Sequence, residues 1–262
     1  MLKNLSKQLA GAVAVAAVAL TANLAMADGD KIRIAIEGAY PPFSEKTVSG
    51  EVVGFDIDIA NALCAEMKRE CELVEQDWDG MIPGLLARKY DAILASMSIT
   101  PERQKKIDFS AKYYNTPAKF AAKDGMFADD KPATLAGKII GVQSATIHAD
   151  YAKAIYNASE IREYGTQEEV YLDLASGRLD AILADSIAIS DGFLKTDNGS
   201  GYSFFGVDHN DPEYFGNGAG VGVRKGETEL KEDFSKAIEA IRSNGKYKEI
   251  NAKYFDFDIY GG

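Results

Sequence analysis

Apolar and polar residues along the first third of the chain predict alternating strands and helices. Residues 31–36 (KIRIAI) alternate and are rich in β-branched side chains, which is typical of a strand. Apolar positions then recur at helical spacing up to residue 67, behind a candidate N-cap at Asp56. A second strand, a helix and a third strand are predicted at residues 71–76, 78–89 and 91–95. This βαβαβ order favours an α/β layer with a largely parallel sheet.

The second half of the chain repeats this plan. A strand, a helix and a strand are predicted at residues 138–142, 167–176 and 180–184, followed by a helix at 229–243. The segments LARKYDAILAS and LASGRLDAILAD match each other and pair Asp91 with Asp180. Chance similarity between two βαβ units would also produce the match. Either origin predicts two α/β lobes of similar plan.

The amino terminus has the features of a secretory leader. Lys3 and Lys7 precede an uncharged run, AGAVAVAAVAL, and residues 25–27 (AMA) form the small-x-small pattern that signal peptidase recognises. A transmembrane anchor is the alternative, but this run is too short to cross about 30 Å of hydrocarbon. Residues 1–27 are therefore expected to be a signal peptide, and the rest of the chain to be exported.

Composition and charge exclude several classes of protein. The chain has 262 residues, 46% hydrophobic and 26% charged, which excludes disordered and coiled-coil proteins. Its net charge of −11 repels phosphate backbones, so no nucleic-acid partner is expected. Two histidines and two cysteines are too few for a zinc cluster, and neither a metal nor a cofactor is expected.

Export changes the interpretation of the two cysteines. Cys64 lies late in the first predicted helix and Cys71 follows just beyond it. In an oxidising compartment such an even pair is typical of a short disulfide, and two buried free thiols are the alternative.

Polar residues follow four of the predicted strands. They are Glu37, residues 96–100, residues 143–148 and Asp185. Ligands of open α/β sheets bind beyond the carboxyl ends of strands. Two of these ends belong to each lobe, which predicts a site in a cleft between the lobes.

The segment 96–103 (SMSITPER) is the most specific of the four. Thr100 is a suitable helix N-cap, so free backbone N–H groups would lie beside the two serines, and Arg103 offers a bidentate donor to a carboxylate. An ordinary capped helix with a surface arginine is the alternative. Asp185 offers the opposite charge, or else caps a helix at residues 186–193. Together Arg103 and Asp185 match the carboxylate and ammonium of an α-amino acid.

From residue 31 to about 260 the chain resembles the polar amino-acid solute-binding proteins of ABC importers, especially the group that binds lysine, arginine, ornithine or histidine. The matching segments are EGAYPPF (37–43), GFDID (54–58), Cys64 with Cys71, WDG (78–80), SMSITPER (96–103) and YF (254–255). The resemblance implies an α/β periplasmic-binding-protein (Venus flytrap) fold. Two mixed, mostly parallel sheets would be joined by hinge strands near residues 114–117 and 210–215. Lobe 1 would comprise residues 28–115 and 212–262, and lobe 2 residues 116–211.

The resemblance also implies how the α-groups of a ligand are held. Arg103 and the Ser98 N–H would bind the carboxylate, helped by a backbone N–H near Ile147. The Ser98 hydroxyl, the Ser96 carbonyl and Asp185 would bind the ammonium. Ile147 stands where the family usually has threonine, so only its backbone would serve.

The ligand side chain would lie between Tyr40 and Trp78, with Glu37 facing its cationic end. Glu37 is one methylene longer than the aspartate common in lysine/arginine binders, and some opine binders resemble the chain there. Ala95 replaces a hydroxyl residue often found before the first serine, which removes one hydrogen bond to the ligand.

These features predict a monomeric periplasmic receptor that binds a cationic L-amino acid (arginine first, then lysine or ornithine) and delivers it to a membrane ABC permease. The sequence shows no nucleophile–base pair, so no enzyme is expected. A dehydratase using Glu37 and Asp185, a receptor for histidine or an opine, and a detached sensor for a chemoreceptor are the alternatives.

Overall fold

The computed structural model of the protein describes residues 31–261. The predicted signal peptide lies outside these residues. The strands are β1 Ile32–Ile36, β2 Ala39–Tyr40, β3 Ser44–Lys46, β4 Val52–Val53, β5 Cys71–Glu75, β6 Ala92–Ile93, β7 Ile107–Tyr114, β8 Ala118–Lys123, β9 Ile139–Gln143, β10 Glu160–Tyr164, β11 Ala181–Asp185, β12 Tyr202–His209 and β13 Ala219–Arg224.

Helices cover both faces of the sheets. They are α1 Phe55–Met67, α2 Met81–Leu86, α3 Pro101–Gln104, α4 Ile147–Ile155, α5 Gln167–Ala175, α6 Ser186–Ile189, α7 Pro212–Phe215, α8 Thr228–Ser243 and α9 Lys246–Tyr254. Short 3₁₀ turns occupy Trp78–Gly80 and Asp197–Gly199, and a π turn, Ser190–Leu194, continues α6. Within residues 31–261, every helix falls short of the length and apolar character that a membrane span requires.

Two five-stranded sheets share one plan. Their strand orders are β5-β1-β6-β13-β7 and β10-β9-β11-β8-β12, so the repeated DAILA strands β6 and β11 occupy the same central place. Each central strand pairs in parallel with one neighbour and antiparallel with the other. The prediction of two similar α/β units is confirmed. Both sheets are mixed and mostly parallel, as predicted, because in each sheet one strand, β13 or β8, runs against the other four.

The paired aspartates of the repeat make the same contact. Asp91 Oδ2 accepts the backbone N–H of Arg33 at 3.1 Å, and Asp180 Oδ2 accepts that of Ile139 at 2.8 Å. Each aspartate thus joins the start of its central strand to the neighbouring parallel strand. The repeated motif thus makes the same local contact in both sheets.

Asp56 is not the N-cap that the pattern predicts. Helix α1 begins at Phe55 after Gly54, and Asp56 is 1% exposed. Its carboxylate accepts the hydroxyls of Ser96 at 2.9 Å and Tyr113 at 3.0 Å. The side chain therefore lies inside the protein, against the end of the central strand.

Two other predicted elements are shorter than expected. The helix predicted at residues 78–89 is a 3₁₀ turn followed by α2, which ends before Arg88 takes a left-handed φ of 60°. The strand predicted at residues 91–95 is only β6, because Ser96 takes a φ of 53° and turns the chain out of the sheet.

The chain crosses between the sheets twice. Residues 115–117, which belong to no strand, connect β7 to β8, and residues 210–218 connect β12 to β13. The hinge strand expected near residues 210–215 is wrong, because α7 lies there. Asp211 Oδ1 accepts the Glu213 N–H at 3.0 Å, and Pro212 takes the first helical position.

The predicted disulfide is confirmed. Cys64 in α1 and Cys71 at the start of β5 are bonded, with their Cα atoms 6.1 Å apart. The bond fixes the end of α1 to the edge strand of the first sheet. The other end of α1 begins at Phe55. The buried ring of Phe55 lies 5.2 Å from the ring of Phe255 in the carboxyl-terminal tail.

Candidate functional site

Two adjoining cavities, each of about 30 Å³, lie between the facing ends of the two sheets. They share the walls formed by Tyr40, Ser96, Ser98, Ile147 and His148. Two larger depressions, of about 670 and 700 Å³, lie on the surface beside the first sheet and helix α8. They contain none of the predicted site residues. The cavities between the sheets are therefore the candidate site.

The structure brings all the predicted site residues to these cavities. The first is lined by Glu37, Tyr40, Trp78, Ala95, Ser96, Ser98, Arg103 and Ile147, among others. Asp185 lines the second. The juxtaposition expected from the strand ends is thus present, and the binding function of each residue stays a prediction.

Arg103 is held in place by the segment that carries it. Thr100 is the N-cap of α3, as predicted, and its hydroxyl accepts the Arg103 backbone N–H at 3.2 Å. The guanidinium donates to the Ser98 carbonyl at 3.1 Å and lies 5.3 Å from the centre of the Trp78 ring. Burial lowers the pKa of Arg103 to about 10, so the group is cationic at neutral pH. Its remaining N–H groups are donors for an anion.

Ser96 has its hydroxyl and amide engaged by the protein. The hydroxyl donates to Asp56 at 2.9 Å, and the backbone N–H donates to the Tyr113 hydroxyl at 2.9 Å. The carbonyl, rather than the hydroxyl, is therefore the group that Ser96 offers to a ligand. Burial raises the pKa of Asp56 to about 7. Sequence reasoning missed Asp56 because it interpreted the residue as a cap.

Asp185 is both an N-cap and a wall of the cleft. Its Oδ1 accepts the N–H groups of Ile187 at 2.8 Å and Ala188 at 3.3 Å, so the capping alternative is confirmed. Its Oδ2 accepts the hydroxyl of Thr116, a residue of the first crossing. Burial raises the pKa of Asp185 to about 6, which still leaves it mostly anionic at pH 7.

Glu37 lies at the far end of the first cavity and is 5% exposed. Its Oε1 accepts the side-chain N–H of Gln143 at 2.8 Å, from the opposite sheet. Burial, with smaller contributions from Asp77 and Glu168, raises the pKa of Glu37 to about 7. Sequence reasoning placed residue 143 at a polar strand end but did not select it as a site residue.

The two aromatic residues of the site are both buried. The Trp78 indole N–H donates to the Ala145 carbonyl at 3.1 Å, across the cleft. Tyr40 lies where the two cavities meet. These contacts describe a closed cleft whose walls are partly apolar, which suits the aliphatic or flat part of a small molecule.

Helix α4 begins at the cleft. Thr146 caps it through a hydroxyl that accepts the Ala149 N–H at 3.1 Å, so the N–H of Ile147 lies in the first turn, where intrahelical partners are lacking. His148, the next residue, is buried, and its pKa is lowered to about 3 by burial and by the charge of Arg103. It is therefore a neutral wall residue.

The charged groups of the cleft are not paired with one another. Among residues 31–261, none of Glu37, Arg103 and Asp185 forms an ion pair. Isolated buried charges are unfavourable unless a partner compensates them. The cleft therefore complements a small molecule with one anionic and two cationic groups.

Comparison with known proteins gives the family. Residues 32–257 match the model of the bacterial extracellular solute-binding proteins, family 3. The chain is 51% identical to an L-arginine-binding protein of Pseudomonas aeruginosa, over 97% of each chain. It is 42% identical to the lysine/arginine/ornithine-binding periplasmic protein of Escherichia coli K12, over 88% of this chain and 90% of that one.

Comparison with solved structures leads to the same group of proteins. A Salmonella typhimurium periplasmic binding protein, described for its high arginine specificity, matches with a TM-score of 0.79 and 31% identity, over 86% of this chain and 99% of that one. The fold is that of the periplasmic binding proteins, and these relatives are binding proteins rather than enzymes. The chain belongs to family 3 of the bacterial extracellular solute-binding proteins.

Proposed function

We propose that the protein is a periplasmic receptor for a cationic L-amino acid, with arginine preferred over lysine and ornithine, and that it delivers the ligand to an ABC importer. The observation that carries the proposal is the unpaired charge of the cleft. One cation, Arg103, and two acids, Glu37 and Asp185, are buried together without ion pairs among the described residues. A basic amino acid has the complementary set of one carboxylate and two cations.

The α-groups of the ligand meet Arg103 and Asp185. Arg103 binds the carboxylate with its free N–H groups, with the backbone N–H groups of Ser98 and Ile147 beside it. Asp185 and the Ser96 carbonyl accept the α-ammonium. In both cases the ligand supplies the charge that each buried group lacks, which offsets its desolvation.

The ligand side chain extends toward Glu37 between Tyr40 and Trp78. A flat guanidinium stacks on aromatic faces and is more weakly hydrated than an ammonium. This favours arginine, as does the likeness to a protein named for L-arginine binding. Ala95 contributes only apolar surface.

The lobes that close on the ligand comprise residues 28–115 with 212–262, and residues 116–211. The two crossings at residues 115–117 and 210–218 support this division. Closure around the ligand is the signal that the permease recognises. The receptor acts as a monomer without a nucleic-acid partner, catalyses no reaction and reaches the periplasm through the leader at residues 1–27.

Calorimetry with the twenty amino acids, ornithine, agmatine and octopine tests the proposal. Arginine should be the tightest ligand, and glutamate and leucine should be weaker by a hundredfold or more. A neutral or acidic amino acid as the tightest ligand would overturn it. Mass spectrometry after long incubation should show every ligand unchanged, and a dehydrated product would favour the enzyme instead.

A further inference from the structure

We propose that Gln143 determines specificity for a guanidinium over an ammonium, an inference that rests on the proposed function. Gln143 is the last residue of β9, is 2% exposed and lines the cavity that contains Glu37 and Trp78. Its contact with Glu37 joins residues 106 positions apart and crosses the cleft. It is therefore part of the wall that faces the end of the ligand side chain.

The orientation of the Gln143 amide follows from its neighbours. Its Nε2 donates to Glu37 Oε1 at 2.8 Å and to the Gly165 carbonyl at 3.3 Å. The Gly165 carbonyl is an acceptor whatever the protonation state of Glu37, so the amino group has to face it, and the Glu37 carboxylate accepts from the same group when a cationic ligand keeps it ionised. Both of its hydrogens are then used, and the group left for the cavity is the amide oxygen.

Glu37 and Gln143 thus form one acceptor pair. Within residues 31–261 no donor is bonded to Oε2 of Glu37 or to Oε1 of Gln143. The Gln143 hydrogen bond also fixes the Glu37 carboxylate, so its free oxygen keeps a constant position beside the amide oxygen. When a cationic ligand is bound, Glu37 is the charged member of the pair and Gln143 the neutral one.

The pair suits a guanidinium for two reasons. A guanidinium has five N–H donors spread over a planar fork, so it reaches two separate acceptors at once. An ammonium is a compact, strongly hydrated charge that gains most of its interaction from the carboxylate alone. The neutral oxygen of Gln143 therefore adds more to arginine binding than to ornithine or lysine binding.

The ratio of affinities separates this function from a purely structural one. In Gln143→Met, loss of the amino group disturbs Glu37 and weakens the binding of every cationic ligand. Loss of the amide oxygen weakens the binding of arginine in particular. We expect the arginine-to-ornithine affinity ratio, measured by calorimetry, to fall at least threefold. Gln167→Met is the matched control, because Gln167 is equally buried but lines neither cavity, and its ratio should stay as in the wild type.

The outcomes distinguish the two proposals. If the wild type binds arginine tightest and Gln143→Met changes the ratio less than threefold, the inference about Gln143 is wrong and the proposed function stands. If the wild type binds a neutral or acidic amino acid tightest, the proposed function is wrong and the inference with it. Should Gln143→Met fail to fold, Gln143→Asn withdraws the same oxygen by one methylene and is judged by the same ratio.

Discussion

The indole N–H of Trp78 and the backbone carbonyl of Ala145 form a 3.1 Å hydrogen bond that joins the two sides of the cleft. Ala145 has a left-handed φ of 56°, which sets the direction of this part of the loop before α4. Together with the Glu37–Gln143 contact, this bond connects the two sides of the cleft and stabilises the closed arrangement.

Replacing Trp78 with phenylalanine should weaken the binding of arginine and the binding of lysine by the same factor. The variant keeps an aromatic face but removes the N–H donor, and a hydrogen bond of this kind contributes about 0.5–1.5 kcal/mol. The expected loss is about tenfold or less, measured by calorimetry. A loss confined to one of the two ligands would show that the substitution acts only through the contact between the ring and the ligand, and that the hydrogen bond to Ala145 does not contribute to closure.

Arg103→Ala should reduce arginine affinity by about 2–5 kcal/mol, because the bound carboxylate is then buried without its partner. The melting temperature should barely change, since the described residues give Arg103 no ion pair. Arg103→Lys keeps the positive charge but loses the planar fork of N–H donors, so its arginine affinity should lie between those of Arg103→Ala and the wild type. Affinity of Arg103→Ala within threefold of the wild type would contradict the assignment.

Arginine binding should become weaker as the pH falls through 7. Burial raises the pKa of Glu37 to about 7, and a ligand cation beside it favours the ionised form, so binding expels a proton. The limiting slope is about tenfold in affinity per pH unit. Calorimetry at pH 6 in buffers of different protonation enthalpy measures the released proton. Glu37→Gln isolates this contribution from that of Asp185, and an unchanged slope in that variant would refute it.

Asp56 should make the protein less stable at alkaline pH than at acidic pH. Its pKa is raised from 3.8 to about 7, so its contribution to stability is complete below about pH 4 and is lost as the pH rises through 7. Asp56→Asn stays neutral throughout. Between pH 5 and pH 8 its unfolding free energy should improve relative to the wild type by roughly 2–3 kcal/mol, in urea titrations. A difference independent of pH would mean that Asp56 is ionised in the folded protein.

Reduction of the Cys64–Cys71 disulfide should lower the melting temperature without abolishing arginine binding. The loop it closes is short, and the chain-entropy model assigns such a loop roughly 2.5 kcal/mol. Neither cysteine lines the cleft, so the site should survive. Thermal melts and calorimetry with and without reductant measure both effects. Labelling of both thiols in the native, non-reduced protein would contradict the bond.

Local patterns in the sequence were sufficient for the parts of the site that depend on neighbours along the chain. The cap at Thr100 and the position of Arg103 follow from one short segment, and the strand ends bring Glu37 and Asp185 to the cleft. For Asp185 the pattern left a cap and a charge as alternatives. The structure shows that one carboxylate caps α6 and lines the cavity at once.

Contacts between distant segments could not be predicted in this way. Asp56 lies 40 residues from Ser96 and 57 from Tyr113, so helix periodicity gave no information about its partners. Gln143 meets Glu37 only because the two sheets close on each other at this angle. The second crossing was expected to be a strand, although its Asp-Pro pair is typical of a helix start.

The placing of β13 has a consequence for the order in which the protein is built. The strands of the second sheet, β8 to β12, form one uninterrupted stretch of chain, whereas β13 lies between β6 and β7 and is synthesised after all of them. The first sheet stays incomplete until β13 returns, and closing so long a loop slows folding. The second sheet can therefore mature first. The cleft needs the ends of both sheets, so it is complete only after β13 has joined the first sheet.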